Sequence, residues 1–378
     1  MSDREALLAA IRATPADDLP RLVYADWLEE NGESLPPLER KSARDRAGFI
    51  RAQVEAARAE SFSPAAREAD ERANHFLTEK NLEAWTWHLR GRMLETAFER
   101  GFIERATVDA AEFPSDADAL FDAEPIRSIR VCRPNPRRAE FEVLLAPFFE
   151  VARLEQIASL DVQGVELQYD DCEKLAASPH LAGLTSLSLR GNPIFPPWFR
   201  GFVEGDLWPN LTGLDLADIG NLGPAIAAGF RAADHRRFKT LDLSGVGFRS
   251  EDLKRALGSE CVSEVEELRL RWDGGSTLRG TLTHLELGWV IPWEFLRLLD
   301  LDGQGIGPEG VQEIARHERA ANLRWLGLAR NQIGHSGAKL LTQDSLLKPY
   351  FLDVRHNDLG AKDVLALKSR FPEAVVLA

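Results

Sequence analysis

The sequence predicts an α/β fold in which short parallel strands stack repeat upon repeat, each returning through a helix, behind an α-helical amino-terminal segment. Three observations predict it. Aliphatic blocks of the form L-x-x-L-x-L recur with Leu187, Leu214, Leu241 and Leu268 each 27 residues apart, and Leu299 to Leu326 repeats that spacing. Inside each block the leucines of L-x-L alternate with x, the period of a strand that buries one face. Between blocks, apolar residues recur at helical spacing, as at Val311, Ile314 and Ala315 or at Ala338, Leu340 and Leu341.

A period of 27 falls in the roughly 20–29-residue class of leucine-rich repeats. Such a unit can bury its apolar face only against its neighbours, so the expected architecture is a leucine-rich-repeat horseshoe with parallel strands concave and helices convex. Asparagines follow the strand at Asn192, Asn331 and Asn357. With the repeat length and the helical returns, they make the array similar to the ribonuclease-inhibitor type. The other repeats lack that asparagine, and looser turns are expected there.

Taken in chain order, residues 1–60 hold three amphipathic helical stretches: one with Leu7, Leu8 and Ile11, one with Leu19, Leu22, Val23, Trp27 and Leu28, and one with Phe49, Ile50 and Val54. The string from Asp18 through Arg21-Leu22-Val23-Tyr24-Ala25-Asp26-Trp27-Leu28-Glu29-Glu30 to Gly32, with Gly48-Phe49-Ile50-Arg51-Ala52-Gln53 later, resembles the repeat-companion domain of planctomycete proteins. That family is named for sitting beside repeat arrays. The spacer from Ser34 to Ala47 is longer than in shorter relatives, whereas Trp85, Arg100-Gly101-Phe102-Ile103 and Val108 continue like members that carry leucine-rich repeats. The resemblance implies an architecture and a source, and no reaction. Asp26 is a candidate ion-pair partner for Arg21 or Arg51. Tyr24 and Trp27 could form a docking surface, against the plainer reading of Trp27 as a core anchor.

Residues 61–101 are expected to form a connector and cap, with the Ala-, Glu- and Arg-rich stretch from Arg58 to Asn81 reading as helix or hinge. The solenoid is expected over 102–378. Its early copies are degenerate: Ile103-Glu-Arg-Ala106-Thr-Val108, Ile126-Arg-Ser-Ile129-Arg-Val131 and Ile157-Ala-Ser-Leu160-Asp-Val162. After the regular array, the interval from Leu268 to Leu299 overruns the period, with a candidate extra strand Leu282-Thr-His-Leu285-Glu-Leu287 behind Gly274-Gly275 and three tryptophans, Trp272, Trp289 and Trp293. Those rings suit an irregular core better than a contact surface. Leu352-Asp-Val354 closes the series, falling one position short of a full period after Leu326.

Composition narrows the function. A 378-residue chain with 44% hydrophobic and 28% charged residues is that of a folded protein, and its formal charge of -14 argues against general nucleic-acid binding, which needs a positive surface to displace counterions. No apolar run is long enough for a membrane span, and the acidic start Met1-Ser2-Asp3-Arg4-Glu5 is unlike a secretory signal. A cytoplasmic monomer is expected. Cys132, Cys172 and Cys261 form no C-x-x-C pair, and the eight histidines form no H-E-x-x-H spacing, so neither disulfides nor a metal site is expected. Gly305-Ile-Gly307-Pro-Glu-Gly310 matches G-x-G-x-x-G, but its echo one repeat later at Gly334 and Gly337 marks it as repeat turn chemistry. No cofactor is expected.

What remains is a binding surface. The middle x positions line up as Asp161, Ser188, Asp215, Asp242, Arg269, Glu286, Asp300, Gly327 and Asp353, six of the nine acidic. Rungs of a sheet stand about 4.8 Å apart, so such carboxylates repel mildly and would welcome a cation. Trp325 and Phe351 add aromatic anchor area, and Arg190, Arg271 and Arg355 interrupt the acids at the next outward position. The leading expectation is a non-catalytic module that binds a protein or peptide, basic in character, on the concave face. The alternatives are an accessory subunit that positions a substrate for another enzyme, and an enzyme of transferase or ligase type using Cys132 or a carboxylate. The aspartates as mere soluble filler on an open strand face stand as the plain alternative to any binding role.

Overall fold

Ser2 starts the first helix, Asp3–Ala13, through a capping box: its hydroxyl accepts from the Glu5 amide and the Glu5 carboxylate accepts from the Ser2 amide, satisfying amides that a helix start leaves open. The computed structural model describes residues 2–133, 145–272, 287–343 and 345–378. Two compact units divide the chain, Met1–Leu160 and Asp161–Ala378, so the expected onset of the solenoid at residue 102 falls inside the first of them.

In the first unit, helices Leu19–Asn31 and Ala43–Arg58 bury Tyr24, Ala25, Leu28, Ala47, Ile50 and Val54 against Ile11 and Phe102. Trp27 packs on that cluster and stacks on Tyr24 with centroids 5.9 Å apart. The stretch after Arg58 is helical over Pro64–Asn74 and Glu79–Thr86. Strands β1 (Glu95–Glu99) and β2 (Phe102–Asp109) form an antiparallel hairpin. Its turn explains a motif glycine: Gly101 has φ +88°, and a Cβ there would meet the Ile50 Cα at 2.8 Å. Gln53 closes the same contact, accepting from the Gly101 amide at 2.8 Å and donating to the Phe98 carbonyl at 3.2 Å. The strings Gly48–Gln53 and Arg100–Ile103, far apart in sequence, are therefore one packing unit. β3 (Ser128–Cys132) runs parallel to β2 with Ala106 opposite Ile129, and β4 (Ser159–Asp161) lies where the two units divide.

The ion pairing in this unit departs from the expectation at Arg21. Asp26 pairs with Arg51 at 2.7 Å on the surface, while Arg21, 0% exposed, pairs with Glu104 at 2.7 Å and donates to the Pro15 carbonyl at 2.7 Å. The reason is geometric, since Arg21 points into the packed face of its helix and meets the β2 carboxylate there.

In the second unit the strands are β5 (Ser186–Ser188), β6 (Gly213–Asp215), β7 (Thr240–Asp242), β8 (Glu267–Arg269), β9 (Leu298–Asp300), β10 (Trp325–Gly327), β11 (Phe351–Asp353) and β12 (Val375–Leu377). They pair in sequence order and in parallel, with Leu187, Leu214, Leu241, Leu268, Leu299, Leu326 and Leu352 standing opposite one another in turn. All seven are buried. Each contributes about 1.5–3 kcal/mol of transfer free energy, which only the neighbouring repeats can supply by covering it. Helices return the chain between strands, among them Pro196–Glu204, Gly223–Ala232, Ser250–Leu257, Gly307–Arg316 and Gly334–Gln343. This is the α/β leucine-rich-repeat fold, an open parallel sheet backed by helices.

Buried asparagines bind one repeat to the one before. The Asn192 amide donates to the Val162 and Leu189 carbonyls at 2.8 and 3.0 Å, that of Asn331 to Leu301 at 2.9 Å, and that of Asn357 to Leu328 and Val354 at 2.7 and 2.9 Å. Gln304 takes the same role where asparagine is missing, donating to the Leu270 carbonyl.

No rung lies between β8 and β9. Leu268 stands directly opposite Leu299, so the overlong interval leaves the ladder continuous. The candidate strand residues 282–286, the Gly274-Gly275 turn and the Trp289 side chain lie outside the described residues, and Leu287 opens a short helix, Leu287–Val290. Trp293 is buried, donates to the Leu287 carbonyl at 3.1 Å and stacks on His317 at 4.3 Å, as core filling. Gly305 and Gly307 hold positive φ of 69° and 64°. A Cβ on Gly310 would meet the Ile306 Cβ at 2.6 Å, and one on Gly337 the Ile333 Cβ at 2.7 Å, so the same close approach recurs in consecutive repeats.

Candidate partner-binding face

A three-residue strand leaves few positions to present, and in these repeats the middle x residue also ends the strand. The Asp215 carboxylate accepts from the Ala217 amide at 2.9 Å, Asp242 from Ser244 at 2.9 Å, Asp300 from Asp302 at 3.2 Å, Asp353 from Arg355 at 3.1 Å and Asp161 from Gln163 at 2.8 Å. Each is the local turn in which aspartate bonds the backbone two residues on. Aspartate at this position thus has a structural cause besides any role in binding.

Register brings the ladder together as Ser188, Asp215, Asp242, Arg269, Asp300, Gly327 and Asp353, each opposite the next. Glu286 lies outside the described residues, and Arg269 meets Asp300 without an intervening rung. The solvent-facing expectation holds for some positions only. Asp161 and Asp215 are half-buried, whereas Asp242, Asp300 and Asp353 are buried. Gly327 shows why. It has no side chain because the Asp300 Oδ1 and the Trp325 ring already occupy that space, 2.5 and 2.7 Å from where a Cβ would sit.

Arginines at the next outward position offset several of these charges. Arg355 holds Asp353 through Nε at 2.9 Å, Arg271 stands 3.5 Å from Asp300, and Arg190 turns instead to Asp218 at 2.7 Å. Ser188 donates to Asp215 at 3.0 Å. Asp302, which the sequence reading passed over, extends the acidic group and accepts from the Ala329 amide at 2.8 Å. Burial first, and then Asp302 beside it, pushes the Asp300 carboxyl up to about 7. Asp302 and Asp215 are also raised, in both cases mainly by burial, with Asp353 and Asp242 respectively adding to it. Beside this group Trp325 and Phe351 stack nearly parallel, centroids 5.1 Å apart at 4°, both half-buried.

Cys132, the thiol considered for chemistry, is half-buried at the end of β3, and burial raises the Cys172 and Cys261 thiols to about 12 and about 11, far from the thiolate a nucleophile requires. Among the described residues no group of three or more His, Cys, Asp or Glu side chains is placed to hold a metal ion, and no helix is long and apolar enough to cross a membrane.

Leucine register, buried asparagine ties and helix-backed strands define the class: a leucine-rich-repeat fold. No family model matches the chain, and no curated protein matches it. Among solved structures it is similar to a leucine-rich-repeat protein of Leptospira interrogans, at 13% identity over 68% of this chain and 73% of that chain, with a TM-score of 0.29.

Proposed function

We propose that this chain is a non-catalytic protein-binding module and that the outward side of the parallel strands in its second unit takes a basic peptide or protein segment. The single observation that carries the reading is the half-buried Trp325–Phe351 stack set next to the group Asp300, Asp302 and Asp353. A flat aromatic pair beside carboxylates that Arg355 and Arg271 offset only in part suits a lysine or arginine side chain, which can lay its stem and charge across the rings and place its head towards the acids. Asp161, Asp215 and Asp242 extend the acidic track, while Arg190, Arg271 and Arg355 limit where a cation can sit. A cytoplasmic, monomeric protein whose residues 1–60 act as a repeat-companion domain, with 61–101 as connector, completes the proposal. The overall charge of -14 favours the same partners by long-range attraction.

A peptide array read with the purified full chain tests this. Lysine- and arginine-rich peptides bearing an aromatic or aliphatic residue should be retained, and retention should fall on the order of tenfold or more with Trp325→Ala, as for an interface anchor. Retention of acidic peptides at equal strength, or a Trp325→Ala protein that binds as well as the parent, would overturn the reading.

A further inference from the structure

A second site lies in the first unit, away from the repeats' strand face. A cavity of about 370 Å³, within the size range of small-molecule pockets, opens with Leu8, Leu28, Leu35, Ala84 and Trp85 on its apolar side and Arg4, Arg12, Glu39 and Glu124 among the charged residues that also line it. Into its wall projects Arg46, only 8% exposed. Its guanidinium is caged by rings, 4.6 Å from the centroid of Trp85, 5.0 Å from Phe98, 5.4 Å from Phe102 and 5.8 Å from Phe49. Yet its Nη1 is buried with no hydrogen-bond partner.

That combination is costly unless something fills it. A buried charge is normally paired and hydrogen-bonded, and the rings offset only part of the lost hydration. The nearby carboxylates are committed elsewhere. Glu39 pairs with Arg4, Glu124 accepts from the Ile103 amide at 3.1 Å, Asp122 pairs with Arg153 at 2.7 Å, and Glu5 accepts from the Ser2 amide at 2.8 Å. Burial pulls the Arg46 guanidinium below its usual range, with Glu124, Tyr24 and Glu39 opposing that pull from a distance.

From this cavity and Arg46, a residue of its lining whose buried Nη1 has no hydrogen-bond partner, we infer that the first unit binds a small organic monocarboxylate with an apolar body, its carboxylate on the Arg46 guanidinium and its body against Leu8, Leu28, Leu35 and Trp85. A planar carboxylate matches the guanidinium edge. A carboxylate with an apolar body is favoured over inorganic phosphate, because phosphate has nothing to set against Leu8, Leu28, Leu35 and Trp85.

Isothermal titration of the full chain with 3-phenylpropanoate and octanoate, against the neutral 3-phenylpropanol and inorganic phosphate, decides the matter. Both carboxylates should bind, and the alcohol should bind more weakly by on the order of tenfold or more, the loss of one charge-assisted hydrogen bond. Arg46→Met should abolish that preference while melting at or above the temperature of the parent, since exchanging a buried unpaired charge for an apolar side chain of similar size need not destabilise. Leu8→Trp, which keeps Arg46 and narrows the cavity, should also weaken binding and serves if Arg46→Met fails to fold. The inference is overturned if either variant binds as the parent does, if the alcohol or phosphate binds as tightly as the carboxylates, or if neither carboxylate binds at millimolar concentration.

Discussion

Asp300 shows how one side chain carries both a structural and a binding consequence. Its carboxylate ends β9 by accepting the Asp302 amide, lies against Gly327, and is pushed up to about 7, well above the roughly 3.9 of an unfolded aspartate. A carboxyl that titrates higher in the fold than in the unfolded chain holds its proton more tightly when folded, so stability is lost as pH climbs from about 4 toward about 7. Asp300→Asn keeps the amide's acceptor and removes the charge. Its melting temperature should exceed the parent's at pH 8, by an amount equivalent to on the order of 1–4 kcal/mol, and the gain should vanish near pH 4; a gain that is constant with pH would contradict the assignment. By the same linkage, a cationic peptide that stabilises the carboxylate should bind more tightly at pH 8 than at pH 6. None of this was legible from the string Leu299-Asp300-Leu301, which marks Asp300 only as outward-facing. Its burial depends on what Gly327 lacks and on where Trp325 lies, one repeat later.

At the scale of elements, alternation at two marked the strands β5 to β11 of the second unit, and the period of 27 set the spacing from β5 to β8 and from β9 to β10, while the longer step to β9 and the shorter one to β11 were legible only from their leucine blocks. The ties between elements were less visible. Asn192, Asn331 and Asn357 stand out in the sequence, but Gln304 in the same role does not, since glutamine is one carbon longer and is read as surface. Arg236 was missed altogether. It is buried and donates to the carbonyls of Val203, Phe202, Gly205, Leu207 and Trp208 at 2.7 to 3.4 Å, fastening the end of helix Pro196–Glu204 and the loop after it. Arg236→Met should cost about 2–4 kcal/mol, measured by chemical denaturation, because several buried acceptors lose their donor at once. Arg236→Lys should recover little of that loss, since a single ammonium cannot reproduce the planar fork. Nothing in the local pattern around His235 and Arg237 distinguishes Arg236 from a surface arginine. Arg21 and Glu104 pose the same problem from opposite ends of the first unit's sequence, and the cage around Arg46 draws its rings from four separate positions.

For the molecule as a whole, the outward residues of the second unit were recoverable as columns, while their exposure was not. Period fixes which side chains share a face, but accessibility depends on the size and charge of neighbours in adjacent repeats, and here arginines and a missing side chain rearrange it. The first unit's cavity left no mark in the sequence beyond an aromatic-rich helix pair. The direct register of Leu214 on Leu241 has one more consequence, for how the chain could change length. Removing residues 214–240 in a single cut would splice Gly213 onto Leu241 without shifting any later residue from inside to outside, as a book loses a leaf and keeps its binding. Such a shortened protein should still unfold in one cooperative step, some degrees lower because helices Pro196–Glu204 and Ser250–Leu257 would meet as new neighbours. A cut one residue shorter would leave its surplus to the connection ahead of the strand, as the intervals of 26 residues before Leu352 and 31 before Leu299 are absorbed with their leucines still opposite the preceding rung.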